Sequence, residues 1–197
     1  MFKLRIDPSD RAEFIKVGRH NLTTSLKNEP GTLTMYATHA DPAGTANYVF
    51  EVYQDDPSYA IHASSPQFKV FAETAQRVVK KRTVVQLKPD LLVEHPDCFT
   101  ITGRQAVVRL SQAQLTKQQL GSLLPQLRQA VKNDPHFYAC LVGSEPTNPG
   151  QTIILTTYRD QAAAERHRAL FPRTALVLHP DTIVSHGGLD YLNGTIW

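Results

Sequence analysis

The sequence predicts an α+β protein made of two copies of one β-α-β-β-α-β unit, the second copy shortened. Three observations predict it. Apolar residues switch between a period of two and a helical period in the same order in both halves. Proline- and glycine-rich turns fall between those segments. Residues also recur at a fixed offset of 105 positions: Glu29-Pro30 with Asp134-Pro135, Tyr53-Gln54-Asp55 with Tyr158-Arg159-Asp160, and His62 with His167.

The elements follow in order. Phe2, Leu4 and Ile6 alternate with Lys3 and Arg5, the pattern of a half-buried strand. Asp7-Pro8-Ser9-Asp10 supplies helix-starting residues, and Phe14, Ile15, Leu22 and Leu26 follow at helical spacing. Asn28-Glu29-Pro30-Gly31 stops that helix, because proline cannot continue it and glycine tolerates the turn. Residues 32–39 alternate again. Asp41-Pro42-Ala43-Gly44 is turn chemistry, and Tyr48-Val49-Phe50-Glu51-Val52-Tyr53 is aromatic and β-branched, so these two strands form a hairpin. Asp56-Pro57 reads as an N-cap and a first-turn proline, opening a short helix through His62. Ser65-Pro66 opens another, with Phe68, Phe71, Ala72, Ala75 and Val79 as its apolar stripe. Residues 82–94 read as one long strand. This is the ferredoxin-like plan.

The second half repeats it: strands at 106–110, 137–142, 152–158 and 175–184, a helix at 116–132 with Leu120, Leu123, Leu124, Leu127 and Val131 inward, a turn at 146–150, and a short helix at 161–170. Leu92-Val93-Glu94-His95-Pro96 matches Leu176-Val177-Leu178-His179-Pro180 at an offset of only 84. The second copy has therefore lost the counterpart of roughly residues 64–84, which carries the aromatic helix. One unit covers one sheet face with helices, and an apolar opposite face needs a partner. The expectation is two domains, 1–97 and 98–197, packed sheet to sheet as an intrachain pseudo-dimer, with further homodimer pairing left open.

Composition narrows the function classes. The chain has 197 residues, 41% hydrophobic and 20% charged, with a net charge of +3. No broad basic stripe is present, so nucleic acid is not the expected partner. No run nears the roughly 20 apolar residues of a membrane helix. Cys98 and Cys140 form neither a disulfide framework nor a metal spacing, and His186 has no ligand partner at useful spacing. With no signal-peptide pattern at the N-terminus, the expected location is cytoplasmic.

Glu29-Pro30-Gly31-Thr32, Phe50-Glu51-Val52-Tyr53-Gln54-Asp55 and His62-Ala63-Ser64-Ser65-Pro66-Gln67-Phe68 together resemble the antibiotic biosynthesis monooxygenase (ABM) family. The resemblance covers residues 1 to about 95 and reaches the second half only through the internal repeat. It implies a dimeric α+β barrel and, in some members, oxidation of aromatic polyketides or quinols by O2 without a cofactor. Two positions depart from the family pattern: Tyr53 stands where tryptophan is common, and Gln67 where a second histidine is common. The haem-degrading branch uses an Asn-Trp-His set, and the single tryptophan here, Trp197, argues against it.

The candidate site follows from these motifs. Glu51 and Tyr53 share one face of a strand, and His62 follows one short turn and helix later. His62, Tyr53 and Glu51 are the candidate catalytic groups, with His62 as base because imidazole titrates near neutrality. Asn21, Tyr36, Phe68 and Phe71 are the candidate substrate-binding residues: polar groups to hold an oxyanion, aromatic walls to exclude water. The substrate expected is a small aromatic or quinol-like molecule with O2. Against this, His62 can serve only to cap a helix, and Phe68 and Phe71 can be simple core. Two other readings stand: a non-catalytic ligand-binding or interaction protein on the same barrel, and an isomerase of a small signalling molecule. The second copy is expected to lack a matching site.

Overall fold

The computed structural model describes residues 1–103, 105–148, 150–172 and 174–196. Trp197, and Pro149 of the expected turn, lie outside the described residues. The strands and helices run β1 (Phe2–Ile6), α1 (Arg11–Asn28), β2 (Thr32–His39), β3 (Ala46–Tyr53), α2 (Asp56–Ser64), α3 (Pro66–Val78), β4 (Val79–Val84), β5 (Lys88–Glu94), β6 (Phe99–Thr102), β7 (Val107–Gln114), α4 (Lys117–Asn133), β8 (Phe137–Ser144), β9 (Gln151–Tyr158), α5 (Gln161–Arg166), β10 (Leu176–Ser185), β11 (Asp190–Leu192) and β12 (Thr195–Ile196).

The α+β, ferredoxin-like plan is present twice. The described residues form two compact units, neither contiguous along the chain. Unit 1 comprises Met1–Val84, Cys98–Gly103 and His179–His186; unit 2 comprises Val85–Asp97, Arg104–Leu178 and Gly187–Trp197. In unit 1 the antiparallel order is β4-β1-β3-β2, continued by residues 179–185 of β10 and by β6. In unit 2 residues 176–178 of β10, then β7, β9 and β8, repeat that order, continued by β5, β11 and β12.

Local sequence explains most elements. Asp55 caps α2, accepting from the Ser58 amide at 2.8 Å; the expected cap, Asp56, is the first helical residue instead. Its repeat mate Asp160 caps α5 through the Ala163 amide at 2.9 Å. A carboxylate there satisfies a first-turn amide and suits the positive end of the helix. Ser65 caps α3 and Thr116 opens α4 with a capping box to Gln119. Pro125 lies inside α4, which runs on through it.

The long strand expected at 82–94 is two strands, β4 and β5, separated by residues 85–87. The reason is burial. Lys80, Lys81, Arg82 and Val84 are exposed, whereas Leu91 and Val93 are fully buried in the unit 2 core. One straight strand cannot lie on the exposed edge of one sheet and in the interior of another. The short strands β6, β11 and β12 lie outside the expected pattern; each is two to four residues long, too short for periodicity to register.

Each unit has its own core. Leu4, Ile6, Phe14, Val49 and Val78 cluster in unit 1, joined by Phe71. In unit 2, Leu124, Leu127 and Val131 of α4 pack on Leu91, Val93, Ile154 and Tyr158. Truncating a fully buried leucine such as Leu127 to alanine costs about 2–5 kcal/mol.

The Glu29-Pro30-Gly31 turn touches α2 closely. A methyl group at Gly31 would overlap the side chain of Ser58. Gly31→Ala is therefore expected to lower stability by about 1–3 kcal/mol, the usual cost of overpacking. Thermal or urea denaturation reads it, and Ser58→Gly in the same background should recover part of the loss. Unchanged stability in Gly31→Ala would contradict this close packing.

Candidate active site

The site lies in unit 1, on the helix-bearing face of the sheet. Two adjoining features make it up, a polar cluster around His62 and a small cavity between α1, α3 and the strands.

His62 is fully buried on α2. Its Nδ1 lies 3.0 Å from Oε2 of Glu29 and 3.2 Å from Oγ of Ser25. Glu29 also accepts from the Thr32 hydroxyl at 2.7 Å and from Nε2 of Gln67 at 2.5 Å, and Gln67 donates to Ser25 Oγ at 3.1 Å. Nδ1 sits nearest a carboxylate oxygen, an acceptor, so we assign the ring proton to Nδ1. Its Nε2 is buried and unpartnered among the described residues. Aromatic rings continue the cluster toward the cavity. Tyr53 lies 5.4 Å from the His62 ring, Phe68 4.9 Å from it, Phe71 6.5 Å from Phe68, and Phe14 5.6 Å from Phe71.

Phe14, Phe71, Asn21, Asn47, Glu51 and Thr182 line the cavity, which has a volume of about 20 Å³. As it stands this is space for about one water. Its polar groups are under-used. Asn21 Oδ1, Asn47 Oδ1 and Thr182 Oγ1 are buried without a hydrogen-bond partner among the described residues. Asn47 is oriented by Nδ2 donating to the carbonyls of Gly44 and Thr45, at 3.1 and 3.2 Å, which leaves Oδ1 free. An unpaired buried polar atom costs about 1–3 kcal/mol, so such atoms gathered at one cavity mark a place built for a bound group.

Glu51 joins the two features. It lines the cavity and accepts from the Tyr53 hydroxyl at 3.1 Å. Desolvation among these walls raises its carboxyl pKa above the ordinary value, against the opposing pull of His62 and the Tyr53 hydroxyl. Burial and the neighbouring Glu51 carboxyl likewise raise the Tyr53 phenol.

Of the residues singled out from the sequence, Asn21, Glu51 and Phe71 line the cavity, while His62, Tyr53 and Phe68 stand behind its wall in the ring cluster. Tyr36 is fully buried against Phe50, on the face of β2 opposite Ala37, a lining residue. Sequence reasoning missed Ser25 and Glu29 as partners of His62, Gln67 as the donor that holds both of them, and Asn47 and Thr182 as lining groups. The repeat held a signal for Glu29: both copies keep a carboxylate 33 positions before the histidine.

Unit 2 shows what that pair does by itself. His167 Nε2 lies 2.9 Å from Oδ2 of Asp134, which Arg166 also holds at 2.8 Å. The carboxylate–histidine contact therefore belongs to the repeated fold. Glu51 does not: Thr156 stands at the equivalent position.

Residues 1–74 match the antibiotic biosynthesis monooxygenase family. The resemblance carried by the three sequence motifs is thus found over most of unit 1's continuous segment. Two solved structures resemble the chain over nearly its whole length. One is a "putative monooxygenase" from Lactobacillus acidophilus NCFM, 20% identical, with a TM-score of 0.81, covering 96% of this chain and 97% of that one. The other bears the same name and comes from Fusobacterium nucleatum subsp. nucleatum, 11% identical, with a TM-score of 0.82, covering 97% and 95%. At such identities the likeness is one of fold. No curated protein matches the chain. No helix among the described residues is long and apolar enough to cross a membrane.

Stability should report the Glu51 environment. Its folded pKa is raised, so its contribution is fully present below the ordinary value of 4.5 and is lost as pH rises through the folded value. Glu51→Gln is expected to flatten that part of the decline, and its melting temperature should gain on wild type from pH 4.5 upward. Parallel pH profiles for the two proteins would show that Glu51 titrates normally.

Proposed function

We propose that the chain is a cofactor-independent monooxygenase acting on a small aromatic molecule with an acidic C–H or O–H, with unit 1 holding the site. The carrying observation is Glu51, a desolvated carboxylate on the wall of a cavity where Asn21 Oδ1, Asn47 Oδ1 and Thr182 Oγ1 have no hydrogen-bond partner among the described residues. The match of residues 1–74 to the monooxygenase family supports the same reading.

The chemistry asks little of the protein. For an anthrone-like substrate the balance is simple: one ring methylene and one dioxygen molecule become one ketone carbonyl and one water. A base takes a proton from the reacting carbon, and the delocalised carbanion passes electrons to O2. The carbon–oxygen bond forms, and loss of water from the resulting peroxide leaves the ketone. Glu51 is the base, because it faces the cavity and its raised proton affinity brings it closer to that of its target. His62 and Tyr53 are positioning residues: the Tyr53 hydroxyl holds the Glu51 carboxyl, and the Tyr53 ring packs on His62. Asn21, Asn47 and Thr182 receive the substrate's hydroxyl groups, and Phe14 and Phe71 flank its ring. Substrate entry requires α3 or its aromatic side chains to move outward.

One observation favours a non-catalytic ligand-binding protein instead, the cavity's small volume. Oxygen uptake decides between the two. With a panel of anthrones and quinols, wild type should consume O2. Glu51→Gln should lose about 10²-fold or more, the usual worth of a general base. His62→Ala should also be slower. No uptake from any substrate would leave the binding role; uptake equal in wild type and Glu51→Gln would remove Glu51 as base.

A further inference from the structure

Unit 2 carries a second recess with different chemistry. In unit 1, α3 packs beside α1 and brings Phe71 and Val78 onto Leu4 and Ile6 of β1. The described residues of unit 2 form no such helix. Its β7 lies between β9 and β10 as β1 lies between β3 and β4. The inner face of β7 is left facing a bay of about 240 Å³.

Arg109 forms the floor of that bay, in register with Thr156 on β9 and Val177 on β10. Ser111 lies two residues along the same face. Ser111 and Thr156 are buried, and the Arg109 side chain is only 19% exposed. A second cation, Arg168, comes from the turn after α5, and Phe171 and Pro172 supply an apolar rim. Both guanidiniums converge on one internal anion: Glu165 Oε1 lies 2.7 Å from Arg109 and Oε2 3.7 Å from Arg168. Among the described residues that line it, two arginines and one glutamate leave one positive charge in excess. The internal carboxylate also marks where an external one fits, since a guanidinium fork matches a carboxylate's two oxygens.

We propose that this bay is a second ligand site, one that binds a small organic monoanion, a carboxylate on an apolar ring or chain. The carboxylate bridges Arg109 and Arg168, sharing or displacing Glu165. The hydroxyls of Ser111 and Thr156 donate to its oxygens, and the apolar body rests on Phe171, Pro172 and Val177. The two sites then differ in kind: unit 1 takes a neutral aromatic hydroxyl compound, unit 2 an anion.

Benzoate is the probe, with calorimetric titration of the full chain. Wild type should bind it saturably, and benzamide, the neutral isostere, at least about tenfold more weakly, as expected for loss of a charged hydrogen-bonded pair. Arg168→Gln should weaken benzoate by about tenfold; this arginine is exposed, so its replacement leaves the fold intact. Glu165→Gln removes the competing carboxylate and should tighten binding several-fold. Absence of saturable benzoate binding overturns the proposal, as does equal binding of benzamide, or an Arg168→Gln protein that binds like wild type. Benzoate binding weakened by Glu51→Gln but not by Arg168→Gln would place the ligand in unit 1 and overturn it equally.

Discussion

The contact on which both units depend is a carboxylate held against a histidine. In each unit the carboxylate ends the first helix and the histidine belongs to the helical segment after the hairpin, so one side-chain contact ties the turn before the second strand to the segment after the third. In unit 1 Glu29 and His62 are both buried; Thr32 and Gln67 donate to Glu29, and Ser25 accepts from Gln67. A buried polar cluster of this kind adds little net stability when satisfied, yet is costly to break, because the remaining partner is left stranded. It therefore acts less as glue than as a fixture. It sets where α2 begins, and with it where α3 can pack.

The same fixture in unit 2 tolerates more solvent. Asp134 shares its oxygen with Arg166, and His167 is partly exposed. Comparison of the two copies separates what the fold needs from what a site needs. The carboxylate, the histidine and the tyrosine before the second cap recur. Glu51, Asn47 and the aromatic helix do not: Thr156 and Thr152 stand at the first two positions, and the helix is missing. The unshared residues are those that meet at the cavity. A desolvated carboxylate on a cavity wall is hard to justify as packing.

The sequence revealed much of this, but unevenly. The β-α-β-β-α-β order was legible because each element is long enough to show a period and is bounded by proline, glycine or a capping residue. The Glu-Pro-Gly stop and the 105-residue register correspond to observed features, and the cap expected at Asp56 lies one residue earlier, at Asp55. What could not be read was long-range. Residues 82–94 look like one strand, and only the burial of Leu91 and Val93 in another core shows that they divide between two. Within the site, Glu51 and Phe71 were accessible from strand parity and helical spacing. Asn47 lies just before the strand read at residues 48–53, and Thr182 lies 131 positions beyond Glu51. No local pattern brings such residues to one cavity. Glu29 was visible only as a helix stop, although its spacing to His62 repeats in the second copy.

Loss of one helix explains why one recess presents a carboxyl group and the other two guanidiniums. Where α3 covers the sheet, the space is narrow and poorly hydrated, and desolvation raises the proton affinity of the Glu51 carboxylate. Without that cover, the equivalent face stays in touch with water, and two guanidiniums remain charged at little cost. An arginine on the inner face of β1 would have had to displace the apolar packing of Leu4, Ile6, Phe71 and Val78. On β7 nothing is displaced. The deletion thus turned a core position into one where a charged side chain is tolerated, and a second arginine and two hydroxyls gather there.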